Sequence, residues 1–414
     1  MKEVFPLKKI VMVGCGSRGY YMYANPMYEE YKDKAIMCGV YDMNPIRAKF
    51  VSDRCGGIPI YEDFETMLND TKPDSVLVTT NDSEHHDYII RAMEMGYDVI
   101  VEKPMTMDIE KCNAIMEAEK RTGKKVTVTF NCRFMPVFSK IKELMNDKAV
   151  GEILNVDLEW KLDNQHGADY FRRWHRRLEN SGGLLVHKAT HHFDVVNWCI
   201  GDTPKCVSAF GKRRFYGATR KERGTRCLTC DYKESCEFYF DLESDLFFKE
   251  LYYDSEEADG YIRDGCVFKE DIDIYDTMAV NVEYEKGTVL SYSLVAYSPY
   301  EGWRMCITGT EGRLEAEELH SGEGADNPFV EIRIYKFGGD IIKYQIKKGA
   351  GNHGGGDSLL QRMLFVGDKE DTLERMADSF EGAKSLLIGA CANISIAEKR
   401  IVSIHDILKN YKEQ

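Results

Sequence analysis

A chain of 414 residues exceeds one ordinary hydrophobic core, so two domains are expected. Hydrophobic residues make up 43% and charged residues 30%, as in a globular protein, and no apolar run approaches the ~20 residues of a membrane span. A formal net charge of −14 repels phosphate backbones and argues against nucleic acid as a partner.

The opening residues run directly into a strand-like segment without an export signal, which implies a cytoplasmic protein. Short apolar runs at 9–13, 35–41, 75–79, 98–101 and 125–130 read as strands. Amphipathic stretches at 44–54, 84–95 and 109–121 read as the helices between them. Such alternation specifies a parallel, doubly wound sheet over 1–130. After Asn131 the pattern changes to two-residue alternation at 152–162, 277–298 and 329–347, with turns at Glu285-Lys286-Gly287 and Gly338-Gly339-Asp340. This predicts a second, α+β domain over 131–414 with a large, open, mostly antiparallel sheet. A charged, Cys-rich insertion near 217–270 and a helical tail over 359–409 belong to it.

The segment KIVMVGCGSRG places Gly14, Gly16 and Gly19 in G-x-G-x-x-G spacing directly after the first strand. Gly14 allows the tight turn, Gly16 the approach of a pyrophosphate, and Gly19 close packing of the helix on the sheet. The second strand ends in Asp42, 23 residues after Gly19. A carboxylate there suits the ribose hydroxyls of NAD and disfavours the 2′-phosphate of NADP.

Four further segments follow in order: TTNDSEH at 79–85, VEKPMT at 101–106, SGGLLVHKATHHFDVVNW at 181–198 and ITGTEGRLE at 307–315. Together with the glycine turn they resemble the glucose–fructose oxidoreductase/inositol dehydrogenase family (Gfo/Idh/MocA) across essentially the whole chain. The chain departs from the family pattern with Asn81 in place of a Pro, His187 in place of the usual active-site Asp and Ala189 in place of a Gly. The resemblance implies a Rossmann domain, an open-sheet second domain that builds a homo-oligomer (dimer or tetramer), and a carbohydrate substrate near the nicotinamide. Expected cofactor contacts are Ser17, Arg18, Thr80, Asn81, His85, Glu102, Lys103 and Asn131, besides the glycines and Asp42.

Oxidation of a carbinol needs an acceptor for the hydroxyl proton. Lys103, at a strand's carboxyl end, is the first candidate, because burial beside a cofactor lowers a lysine's pKa. His187 and His191 are the next. On one continuous helix beginning near Leu184 they would share a face with Asp194 and Trp198, and the resemblance matches His191 to the family's active-site histidine. The same His-x-x-x-His pair is also able to offer two ligands to a metal.

Tyr170, Arg173, Trp174 and His175 suit sugar hydroxyls and C–H faces, although a solvated Arg-rich loop has the same composition. With Asp194, and with His353 in a Gly-rich turn before a helix, they are the expected substrate contacts; Asp357 has a plain alternative role as that helix's N-cap. Cys227, Cys230, Cys236 and Cys266 have spacing able to close a structural zinc site, or they are four reduced thiols. The leading expectation is an NAD(H)-dependent sugar or polyol dehydrogenase. The alternatives are a glycosidase or lyase that keeps its NAD and works through a transient keto-sugar, and a non-catalytic cofactor-binding sensor.

Overall fold

The computed structural model describes residues 7–367 and 370–412. Its first sheet contains β1 (Lys8–Val13), β2 (Ala35–Tyr41), β3 (Ser75–Val78), β4 (Asp98–Val101) and β5 (Val126–Val128), all parallel, in the order β5-β4-β3-β1-β2. The central strand β3, Ser-Val-Leu-Val, is buried at every position, as a sheet covered on both faces requires. The intervening helices start where a side chain can take their free N–H groups. Asn44 accepts from Ile46 and Arg47 before Pro45–Arg54, and Asp108 accepts from Lys111 before Ile109–Thr122.

The second sheet has nine strands. They are β6 (Ile153–Asp163), β7 (Pro204–Lys212), β8 (Thr277–Tyr284), β9 (Val289–Ser298), β10 (Gly302–Gly309), β11 (Gly312–Leu319), β12 (Phe329–Lys336), β13 (Ile341–Lys347) and β15 (Val402–Ser403). Their order is β13-β12-β11-β10-β6-β9-β8-β7-β15, and only β6 and β9 run parallel. Alternate residues of β9 are buried and half-buried, so the two-residue period places one face on a helical layer. The helices Ala189–Ile200 and Ser379–Glu398 form that layer, with helix Ser379–Glu398 lying on β7.

The expected helical tail is interrupted. It consists of helices Gly356–Phe365, Ser379–Glu398 and His405–Lys412, with β14 (Ala377–Asp378) and β15 between them. β14 pairs antiparallel with β5 and completes the first sheet. Residues 213–276, between β7 and β8, hold only short helical turns and a single bridge, Arg226 with Gly265. No helix among the described residues is long and apolar enough to cross a membrane.

Candidate active site

The turn after β1 follows from its glycines. Gly14 has φ +94°, and a Cβ there would come to 2.6 Å from the backbone of Thr79 and Thr80. A Cβ on Gly19 would lie 2.7 Å from the Gly14 carbonyl oxygen, so both glycines are demanded by close packing. Asp42 follows β2 and accepts from the N–H groups of Cys15 (2.6 Å) and Asn44 (2.8 Å).

The ends of β1, β3 and β4 open on a cavity of about 360 Å³. Its first-domain wall is Ser17, Arg18, Thr80, Asp82, His85, Glu102 and Lys103. Glu102 accepts from Arg18 Nε and Tyr23 Oη, each at 2.7 Å, and Arg18 also reaches Asp357 at 3.3 Å. The two ring nitrogens of His85 lie 2.9 and 3.1 Å from the carbonyl oxygens of Pro104 and Thr80. That histidine ties the loop after β3 to the Lys103 turn, whose Lys103–Pro104 peptide is cis.

Lys103 Nζ donates to the His187 carbonyl oxygen at 3.1 Å. Burial brings its ammonium down from 10.5 to about 8, against the opposing pull of Asp82 and Glu102. His187 Nδ1 lies 2.6 Å from Asp82 Oδ2. Burial pushes Asp82 well above the ordinary carboxylate range and His187 well below the ordinary imidazole range. Burial thus disfavours the charged form of each partner. His187 Nε2 makes no hydrogen bond among the described residues. Asp82 thus occupies Nδ1 and sets the orientation of the ring, leaving Nε2 as the nitrogen open to a ligand. His191 is 3% exposed, lines the same cavity, and its Nδ1 has no partner.

From the second domain, Tyr170, Arg173, Trp174, His175 and His353 also line the cavity. Trp174 and His175 stack at 3.7 Å, and Arg173 is held by Asp169 at 2.9 Å. Lys188 and His166 complete this wall. His166 bridges Glu301 (2.9 Å) and the Tyr170 hydroxyl (3.1 Å). Neither Asp82, Lys188 nor Glu301 was singled out by the sequence. Asp82 alone had a local signal, being the acid next to the Asn81 departure.

Two expectations are corrected, for Asp194 and Asn131. Asp194 does not reach the cavity. The helix breaks at Lys188 into Leu184–His187 and Ala189–Ile200, and Asp194 is fully buried against Arg133 at 2.6 and 2.8 Å. Asn81 is exposed and serves the turn, its carbonyl accepting from Glu84 N–H, while Asn131 is buried behind the wall and donates to Asp357 at 2.5 Å. Asp357 is not that helix's N-cap, which is Gly355; it accepts from Asn131 and lies 3.2 Å from His353 Nδ1.

The zinc expectation also fails: among the described residues no three His, Cys, Asp or Glu side chains are placed to hold a metal ion. Cys227, Cys230, Cys236 and Cys266 do line one small apolar cavity with Phe238 and Phe268. Two of the four sulfurs, however, are taken by arginines. Arg172 donates to Cys227 Sγ at 3.0 Å and Arg220 to Cys236 Sγ at 3.3 Å, while burial pushes the Cys227 thiol up and keeps it protonated.

The first-domain wall fits a dinucleotide. The turn lacks the Cβ atoms that would block phosphates, Asp42 stands at the ribose end, and unpartnered buried nitrogens of His175 and His191 face the other end.

Comparison with known proteins agrees with this geometry. Residues 8–130 match the model of the oxidoreductase family's NAD-binding Rossmann fold, and residues 142–381 that of its C-terminal alpha/beta domain. YteT of Bacillus subtilis (strain 168) is 37% identical over 426 residues, covering 97% of this chain and 99% of YteT. The scyllo-inositol 2-dehydrogenase (NAD(+)) of the same strain is 28% identical over 204 residues, 49% of this chain and 57% of that one. The fold is shared with the WlbA dehydrogenase from Bordetella pertussis, solved with NADH and UDP-GlcNAcA. That chain has a TM-score of 0.66 at 17% identity, with 96% of this chain and 99% of that one covered.

Proposed function

Because the chain belongs to the Gfo/Idh/MocA oxidoreductase family, we propose that it is an NAD(H)-dependent dehydrogenase of a sugar or polyol hydroxyl. The observation that carries this reading is the meeting, in one cavity, of Lys103 brought down to about 8 and His187 oriented by Asp82. When bound, the nicotinamide would accept the carbinol hydride. Lys103, as the neutral amine, takes the hydroxyl proton, and His187 Nε2 is a second acceptor on the opposite domain. Asp82 steadies the imidazolium so formed. The family resemblance puts a carboxylate at position 187; here the carboxylate comes instead from the loop after β3.

Tyr170, Arg173 and Trp174 supply a hydroxyl, a guanidinium fork and a ring face, the groups that recognise polyhydroxylated rings. Asp42 supports NAD over NADP. A homo-oligomer is proposed with this reading, through the open sheet face on which Ser291, Ser293 and Val295 are half-buried. The site and the comparisons carry nothing that favours a glycoside-cleaving cycle. A non-catalytic sensor has no use for a lysine held near neutrality.

The test is NADH formation from a panel of inositols and aldoses, with aryl glycosides alongside. Turnover of a polyol or aldose is the expected result. Cleavage of a glycoside with no NADH released, or no turnover of any carbohydrate, would overturn the reading.

A further inference from the structure

The insertion between β7 and β8 does not stay on its own domain. Residues 246–259 cross to the first domain and lie over the glycine turn. Tyr252 Oη accepts from the Ser17 N–H at 2.9 Å and donates to Ser17 Oγ at 3.0 Å. It faces the vacant Cβ position of Gly16 at 3.6 Å. Leu251 and Tyr252 are buried in the same cluster as Ile10, Met12 and Cys15 of the first domain.

Both flanks of this segment are anchored. Phe247 packs on Tyr21 at 4.5 Å and on Phe50 at 5.2 Å. At the other flank Asn44 donates to the Ser255 carbonyl oxygen at 3.0 Å, and Arg47 pairs with Asp259 at 2.7 Å. Arg54 and Glu250 form a further ion pair. Asn44 and Arg47 come two and five residues after Asp42. The segment therefore spans from the phosphate turn to the ribose carboxylate.

A pyrophosphate seated on this turn needs the N–H that Tyr252 holds, since a G-x-G-x-x-G turn binds phosphate through its main-chain donors. One donor cannot serve both at full strength. We propose that residues 246–259 form a strap across the cofactor's phosphate and ribose track. In it Tyr252 is a placeholder for a phosphate oxygen, yields Ser17 to the dinucleotide on entry, and the anchored strap then slows the dinucleotide's departure. This rests on the NAD(H)-dependent reading above. Tyr252 is here a cofactor-positioning residue, not a catalytic one.

The experiment is stopped-flow measurement of NADH association and dissociation by its fluorescence, with amide hydrogen exchange of 246–259 in the wild type with and without NADH. Tyr252→Phe keeps the packed ring but removes the competitor. NADH association should then rise about two- to tenfold, the net worth of one hydrogen bond. Phe247→Ala loosens one anchor and should speed dissociation by roughly tenfold, an aromatic contact's worth. Exchange in 246–259 should slow when NADH is bound. Unchanged or slower association in Tyr252→Phe overturns the placeholder. Unchanged dissociation in Phe247→Ala together with unchanged exchange overturns the strap. In either case NADH binding leaves the dehydrogenase reading standing. A wild-type protein that binds no NADH overturns both.

Discussion

Lys103→Arg separates the base from its charge. With its ammonium at about 8 instead of 10.5, roughly one Lys103 in ten is the neutral amine at pH 7, against about one in three thousand for a solvated lysine. That ~300-fold gain in competent base corresponds to about 3.4 kcal/mol, and burial is its first cause. kcat/KM for alcohol oxidation should therefore climb about tenfold per pH unit below 8 and flatten above it. A guanidinium keeps the positive charge but never gives up its proton at these pH values. Lys103→Arg should lose about 10²–10⁴ in rate together with the rising limb, as should Lys103→Ala, while NADH affinity changes much less. Initial rates and single-turnover NADH formation over pH 6 to 10 read this directly, the single turnover removing any contribution from product release. A Lys103→Arg enzyme that retains the limb near pH 8 would refute the assignment.

Asp82→Asn leaves His187 without its carboxylate and should lower kcat about 10²-fold with little change in KM. His187→Asp alone sets two carboxylates against each other in a buried site, so the double variant with Asp82→Asn should recover at least about tenfold over it, in the same assay. Asp194→Asn strips Arg133 of its buried partner and should cost about 3–5 kcal/mol in urea unfolding, with NADH binding intact in the folded fraction. NAD should bind at least about 1.4 kcal/mol better than NADP, a tenfold preference read by titration.

The first domain was legible because its evidence is local: each strand is a short apolar run, and the glycines sit at fixed offsets from one. The site was legible only on the side that local motifs describe. Lys103 and Glu102 come at a strand end, and His187 and His191 lie in one motif. The partner of His187 is 105 residues away in the chain, and Glu301 and Tyr252 reach their positions through tertiary packing that leaves no trace in spacing. Asp194 shows the reverse error. A helical stripe drawn from Leu184 does bring His187 and His191 to the cavity, but a turn further on the same face already lies inside the core. With Arg133 at hand inside the core, the carboxylate turned there. Cysteine spacing says which thiols can share a place, but not which way they point. Here two arginines decide that for Cys227 and Cys236.

The pairing of β14 with β5 bears on how the molecule comes into being. The first sheet receives its edge from residues 377–378, and the helix that follows lies across the second domain. During synthesis, the first domain therefore waits with β5 uncovered until residues 377–378 have left the ribosome. An uncovered strand edge is a template for pairing with a neighbouring chain. A fragment stopping near residue 130 would carry that edge permanently and should be prone to self-association, even though every residue of the glycine turn is present in it. Completion of the nucleotide fold thus waits on residues far along the chain from the glycine turn.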